Sequence, residues 1–254
     1  MKRNTQTHSQ NFLRSPKLVA ELLRKSSIKS SDTVYDIGAG SGVITSVLAP
    51  CVAEVVAIEV DPKTADILRR NVEEIHKFKN VTIIEKDFLS LPLPKNPYKI
   101  FSNIPFHISA KIVRRLFNTP FSPEAAYLIV QKQFGQKLIS SDTKRFTSQI
   151  GMLLGAEYAI KIIKNLNKTD FTPAPAVDTV FIELKKRPQP LVERSRLPAY
   201  EAFTERCFSD PRFLAKQHLE LIGATPGLSP SRLSLSQWLL LFNASELPAS
   251  QQNR

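Results

Sequence analysis

Thr33-Val-Tyr-Asp-Ile-Gly-Ala-Gly-Ser-Gly42 is the stretch on which the fold turns. A short run rich in β-branched residues reads as a buried strand, and it ends in a glycine cluster that leads into an apolar helical pattern. The chain holds eight glycines, and three of them are Gly38, Gly40 and Gly42. Glycine reaches positive φ without strain and lets the backbone lie close to a ligand. A strand-to-helix turn built this way sits under a nucleotide-like cofactor. A dinucleotide fingerprint would need G-x-G-x-x-G, with its third glycine at position 43, where Val43 stands. The spacing here is G-x-G-x-G, which suits a cofactor with no pyrophosphate to seat on the helix.

Working outward, strand-like and helix-like segments alternate, the pattern of a parallel sheet covered by helices. Glu54–Glu59, Val81–Glu85, Lys99–Ser102 and Ala126–Val130 read as further strands, with helices expected over Pro62–Ile75 and Ser109–Phe117. Tyr158–Ile163 and Thr179–Leu184 read as two late strands forming a hairpin at one sheet edge. Lys185-Lys186-Arg187-Pro188-Gln189-Pro190 then breaks the pattern and reads as an exposed linker, since Pro188 and Pro190 cannot continue a ladder. Helices are expected over Ala199–Phe208, Phe213–Ile222 and Leu235–Phe242, with a frayed tail from Ala244. The expectation is an α/β domain over 1–186 and a small all-α domain over 187–254.

Lys and Arg outnumber Asp and Glu by 35 to 23 in the 254 residues, a net charge of +12. That excess favours a polyanionic partner. No apolar run reaches the length of a membrane-spanning helix, and the N-terminus lacks the apolar core of a signal peptide. Cys51 and Cys207 are too few for a disulfide framework, and neither they nor His8, His76, His107 and His218 share metal-ligand spacing. A metal-free cytoplasmic monomer is expected.

Glu59 ends the second strand, where an acid typically binds a ribose hydroxyl pair, and that role suits several cofactors alike. Asp61 reads as a helix N-cap before Pro62. Asp87, after the third strand, can accept from an adenine amino group or simply cap a turn. Asn103-Ile104-Pro105-Phe106 closes the fourth strand. There an amide oxygen and a neighbouring carbonyl can accept both hydrogens of an exocyclic amine, and the aromatic ring can stack on a flipped-out base.

These segments, together with His8-Ser9-Gln10-Asn11-Phe12-Leu13, Asp87-Phe88-Leu89 and Phe171-Thr-Pro-Ala-Pro-Ala-Val177, fall in an order that resembles the rRNA adenine N6-dimethyltransferases. Within that superfamily the chain most resembles the Erm (erythromycin-resistance) methylases, through its His-Ser-Gln-Asn-Phe start, Tyr127-Leu-Ile-Val130 and Leu235-Ser-Gln-Trp-Leu-Leu-Leu-Phe-Asn243. The resemblance implies a Rossmann-like class I methyltransferase fold and S-adenosyl-L-methionine as cofactor. It further implies transfer of one or two methyl groups to an adenine of 23S rRNA, and so macrolide-lincosamide-streptogramin B resistance. By the same resemblance Asn11 and Leu13 would close over the cofactor, Gly38 would lie under its amino-acid portion, Glu59 would bind the ribose and Asp87 the adenine. Asn103, in reach of the cofactor, would hold the target amine together with the Ile104 carbonyl. Phe106 would stack on the target base and Phe171 would pack on its other face, unless Phe171 only anchors the Pro-rich turn.

Two departures stand out: Phe106 occupies a position where many members have Tyr, and Thr172 and Ala174 replace commoner choices. Gln131-Lys132-Gln133 resembles the small-subunit (16S) dimethyladenosine transferases, which remain the alternative substrate class. A non-catalytic RNA-binding relative and a DNA adenine methyltransferase are the other readings. Lys2, Arg3, Lys132, Lys137, Lys144, Arg145, Lys161 to Lys168 and Lys185 to Arg187 are the basic residues expected to dock RNA as a set.

Overall fold

The computed structural model describes residues 11–117, 119–139 and 147–246. His8, Ser9 and Gln10 of the N-terminal motif, Lys2, Arg3, Lys144, Arg145 and the end of the tail lie outside the described residues.

By packing, the chain forms two units: residues 1–132 with 162–183, and residues 133–161 with 184–254. In the first unit, a two-residue strand β1 (Phe12–Leu13) precedes α1 (Pro16–Arg24), and β2 (Thr33–Ile37) runs into the glycine loop and α2 (Val43–Leu48). Then follow β3 (Glu54–Glu59), α3 (Pro62–Arg69) with a π-helical continuation Arg70–Ile75, β4 (Val81–Glu85), β5 (Lys99–Asn103), α4 (Ser109–Phe117) and β6 (Ala125–Gln131). α5 (Lys132–Leu138) and α6 (Gln149–Glu157) come next, then β7 (Tyr158–Leu166), a second two-residue strand β8 (Phe171–Thr172) and β9 (Thr179–Lys186). The chain ends with α7 (Leu197–Ser209), α8 (Pro211–Ala215) and α9 (Leu235–Ser245). This is the expected α/β, Rossmann-like architecture.

Seven strands form one sheet in the order β4-β3-β2-β5-β6-β9-β7, and β1 pairs antiparallel with β8 apart from it. The pairs β2/β3, β3/β4, β2/β5 and β5/β6 are parallel. Such strands are covered on both faces, so they read as apolar runs rather than alternating ones. Val55 to Ile58 are all buried, and so are Ala125 to Val130. From β2 the chain builds outward through β3 and β4, then returns to place β5 and β6 on the other side. The reversal opens a crevice at the carboxyl ends of β2 and β5, where ligands of this fold class bind.

The second unit differs from expectation. Its apolar cluster joins Met152 and Ala156 of α6 to Tyr200, Phe203, Trp238, Leu241 and Phe242. α6, expected in the first domain, therefore packs with the C-terminal helices, because it buries its apolar residues there. Lys185 and Lys186 still belong to β9, so the exposed linker expected from Lys185 begins later. Its backbone is held: Arg187 N donates to Glu157 O at 2.8 Å and Leu191 N to Ala156 O at 2.7 Å. The helix expected over Phe213–Ile222 is interrupted. α8 closes at Lys216, where the Gln217 amide caps the Phe213 carbonyl at 2.9 Å, and a separate 3-10 turn covers Leu219–Ile222.

Candidate active site

β2 and β5 share only two register pairs, Val34 with Lys99 and Tyr35 with Ile100. Beyond them the Ser102 side chain bridges the strands, its Oγ accepting from Ile37 N at 2.7 Å and donating to Tyr35 O at 3.3 Å. The two strands thus deliver the glycine loop and the Asn103 loop to the same crevice. The glycine loop is tied to β3, since Gly38 N and Ala39 N both donate to Ile58 O, at 2.8 and 3.0 Å. Asn71 Nδ2 donates to Ser41 O at 2.7 Å and holds its far end.

Gly38 and Gly40 have φ of 73° and 58°, in the left-handed region. Side chains there would also collide. A Cβ on Gly38 would sit 3.2 Å from Pro105 Cδ, and one on Gly40 would lie 2.8 Å from the Phe12 ring. The motif glycines therefore permit two close approaches: the Asn103 loop against Gly38, and β1 against Gly40.

Glu59 is 2% exposed. Its Oε2 accepts from Gly40 N at 2.9 Å, while Oε1 accepts from Val60 N at 2.9 Å and Asp61 N at 3.0 Å. A carboxylate has about four lone-pair positions. Three are filled by the loop, which leaves Glu59 able to accept on Oε2. Asp36, at the heart of the glycine stretch, is fully buried and takes the Thr45 hydroxyl on Oδ2 at 2.8 Å. Burial pushes its carboxyl up to about 7; the Thr45 hydroxyl opposes the rise and the Glu59 charge adds to it. Its Oδ1 is buried with no partner.

Asn103 ends β5. Its Nδ2 donates to the Asn11 carbonyl at 2.7 Å, and its Oδ1 is buried without a hydrogen bond. Leaving a buried acceptor unpaired costs about 1–3 kcal/mol, so such an atom marks a place where a donor belongs. Ile104 is fully buried and anchors the loop. Phe106 is half-buried and opens a 3-10 turn, Phe106–Ile108, that runs into α4. Ser109 Oγ and Ile108 N both donate to Pro105 O, at 3.1 and 3.2 Å, and fix that corner.

Asn11 Nδ2 donates to Pro173 O at 2.8 Å, and Leu13 is buried. Asp87 is exposed and its Oδ1 accepts from Leu89 N at 2.9 Å, a capping geometry. Asp61 caps α3 by accepting from Thr64 N at 3.1 Å. Of the two readings open for Phe171, its surroundings favour the anchor. It is 2% exposed and lies in the core with Leu13, Val19, Tyr127 and Phe181, so its ring has no open face for a base. It anchors the Pro-rich turn instead. Several basic residues expected on RNA also have partners within the chain. Lys132 pairs with Asp178 at 3.6 Å, Lys164 with Glu21 at 2.7 Å, Lys168 Nζ donates to Ala176 O, and Arg187 Nε donates to Gly155 O. Among the described residues no cluster of His, Cys, Asp or Glu could hold a metal ion, and no helix is long and apolar enough to cross a membrane.

The β1–β8 pair, the Ser102 bridge and the Asn11–Asn103 hydrogen bond were not predicted from the sequence. Strands of two residues carry no periodicity, and Ser102 reads as one more strand residue.

Residues 1–221 match the family described as ribosomal RNA adenine dimethylase. The chain belongs to that family. It is 31% identical over 249 residues to an rRNA adenine N-6-methyltransferase of Lysinibacillus sphaericus, covering 94% of this chain and 96% of the relative. It is 28% identical to a ribosomal RNA small subunit methyltransferase A of Thermotoga neapolitana, covering 92% and 88%. Among solved structures it superposes on the 23S rRNA methyltransferase ErmE with a TM-score of 0.78 at 26% identity, over 92% of this chain and 98% of that one. The family member described here is an S-adenosylmethionine-dependent rRNA adenine N6-methyltransferase. The donor set suits that cofactor at one point: Glu59 is a buried carboxylate at the end of β3 with an acceptor position left on Oε2 for a ribose hydroxyl.

Proposed function

We propose that the chain methylates the N6-amine of one adenine in 23S rRNA, adding one or two methyl groups, and that Asn103 Oδ1 is the acceptor that receives the target amine. The buried, unpartnered state of that oxygen at the carboxyl end of β5 carries the reading. Bound S-adenosylmethionine supplies an electrophilic methyl on a good leaving group. Glu59 would hold its ribose, Asp87 its adenine, Gly38 would underlie its amino-acid portion, and Asn11 and Leu13 would close over it. Asn103 Oδ1 and the Ile104 carbonyl would take both hydrogens of the amine, and Phe106 would stack on the flipped base.

An adenine amine is a weak nucleophile because its lone pair is delocalised into the ring. Two acceptors aimed at its hydrogens favour the pyramidal, partly cationic nitrogen that develops in the transition state. Alignment of nitrogen and methyl carbon then supplies much of the remaining rate. No residue needs to remove the proton before transfer, since it can leave to water afterwards.

The 23S choice is supported by the likeness to ErmE along nearly the whole length of both chains, and by the Erm-like Leu235–Asn243 segment. Resistance to macrolides, lincosamides and streptogramin B would follow in a cytoplasm where the enzyme acts as a monomer. The likeness to a small-subunit enzyme keeps 16S rRNA as the rival substrate. Purified protein incubated with labelled cofactor and separated, protein-free rRNAs should label a single adenine of 23S rRNA. Label in 16S rRNA alone would overturn the 23S assignment and leave the chemistry standing.

A further inference from the structure

We propose that Asn11 is a positioning residue that fixes which way the Asn103 amide faces. The inference rests on the reading of Asn103 as acceptor for the target amine. A side-chain amide has nearly equal size at its two ends, and a half-turn exchanges a donor for an acceptor. The wrong orientation would turn Nδ2 toward the substrate amine, donor against donor. The Asn11 carbonyl removes that ambiguity. It can only accept, and it takes Asn103 Nδ2 at 2.7 Å. A flipped amide would set two oxygens against each other at that distance, so Oδ1 is held facing the other way.

The carbonyl can do this only if its own strand is fixed, and β1 is two residues long. Five contacts hold it. Phe12 pairs with Thr172 and Leu13 with Phe171. Arg14 N donates to Asp170 O at 3.0 Å. Asn11 Nδ2 donates to Pro173 O at 2.8 Å, and the Phe12 ring lies where a Cβ on Gly40 would be. The buried Phe171 ring holds β8, and β8 holds β1. The Phe-Thr-Pro segment thus reaches the reaction through Asn11 rather than by touching the base.

Isotope-labelled asparagine, with the Asn103 signal assigned by its loss in Asn103→Ala, reads the contact directly. One of the two Asn103 amide hydrogens should exchange slowly with water in the wild type. Asn11→Ala keeps the backbone carbonyl but loses its anchor on Pro173, so the difference between the two exchange rates should narrow. At saturating cofactor Asn11→Ala should lower kcat by about tenfold or more while leaving the KM for RNA and the melting temperature near wild type. A wild-type protein whose two Asn103 hydrogens exchange equally, or an Asn11→Ala variant with unchanged kcat, overturns the proposal. Asn103→Asp gives a second reading that does not depend on altering β1. An ionised carboxylate has no donor for the Asn11 carbonyl, whereas a protonated one does, so residual turnover should rise as pH falls. A flat profile would overturn the proposal. Full activity of Asn103→Ala would instead remove the acceptor role on which the inference rests.

Discussion

Among the described residues five buried polar side-chain atoms lack hydrogen bonds; apart from Thr179 Oγ1 of β9 they fall in two regions, and the same observation means different things in each. In the crevice the atoms are acceptors, Asp36 Oδ1 and Asn103 Oδ1. They stand at strand ends beside left-handed glycines, on side chains whose other atoms are fixed by Thr45 and Asn11. In the helical unit the atoms are the Tyr200 hydroxyl and Trp238 Nε1. They lie within an aromatic cluster, Tyr200 against Phe242 at 5.1 Å and Trp238 against Phe208 at 5.4 Å between ring centroids. A lone unpaired atom does not identify a site. What distinguishes Asn103 is that one end of its amide is held by the Asn11 carbonyl while the other, buried at the carboxyl end of β5, has no partner.

The largest expected effect follows from Asn103. Replacing it with Ala removes a buried acceptor that has no partner in the free enzyme, together with the Nδ2 bond to the Asn11 carbonyl, so the fold should lose about 1 kcal/mol. If the oxygen meets the target amine in the transition state, kcat should fall by roughly a hundred- to a thousandfold, the scale for losing one preorganised polar contact. Cofactor affinity measured by calorimetry should stay within a few-fold of wild type. A variant that keeps its turnover would make Asn103 equivalent to the orphan atoms of the helical unit, and the comparison would collapse.

Asp36 offers an intermediate case, because its orphan oxygen belongs to a group that titrates. Its carboxyl rises from 3.8 in the unfolded chain to about 7 in the fold, chiefly through burial. The folded state therefore holds the proton more tightly. The stability this confers is fully present below pH 3.8 and is lost as pH rises through about 7. Across that window the wild type should lose about 1.4 kcal/mol of unfolding free energy per pH unit relative to Asp36→Asn, which cannot ionise. The Asn side chain keeps an acceptor for the Thr45 hydroxyl. Denaturant melts of both proteins at several pH values cancel the titration of every other group. Parallel stability curves would show that Asp36 does not titrate as its burial implies.

Legibility in the sequence followed the same division. β2, β3, β4 and β5 were readable almost to the residue: β3 is a run buried on both faces, the others are short β-branched or aromatic runs, and their ends or the segments that follow carry Gly38, Glu59, Asp87 and Asn103. Asn103, Glu59 and Gly38 could be nominated from those positions. Phe171 stayed between two readings because an aromatic beside a Pro-rich turn has the same local sequence whether it faces a base or the core; its packing with Leu13 and Phe181 favours the core. The division of the chain was misread for a related reason. α6 is apolar on nearly all sides, so its sequence says that it is buried and not against what, and Met152 and Ala156 turn out to pack with α7 and α9.

The smallest effect tests the helical side of the comparison. The Tyr200 hydroxyl sits in a fully buried side chain, and desolvation pushes its pKa well up. If the aromatic cluster is dry around it, Tyr200→Phe deletes an unsatisfied donor and acceptor while keeping the ring that packs on Phe242. The change should then stabilise the fold by about 1 kcal/mol. In a chain of this size that raises the melting temperature by roughly 2–4 °C. Methylation rates should not move, since no part of the crevice is altered. If Tyr200→Phe lowers the melting temperature, a buried water satisfies the hydroxyl, as polar groups in protein interiors commonly require. Trp238 Nε1 would then be the next candidate for a bond to such a water. The sign of one melting shift thus decides whether the unpaired atoms of this core are a cost carried by its aromatic packing or the lining of a hydrated site.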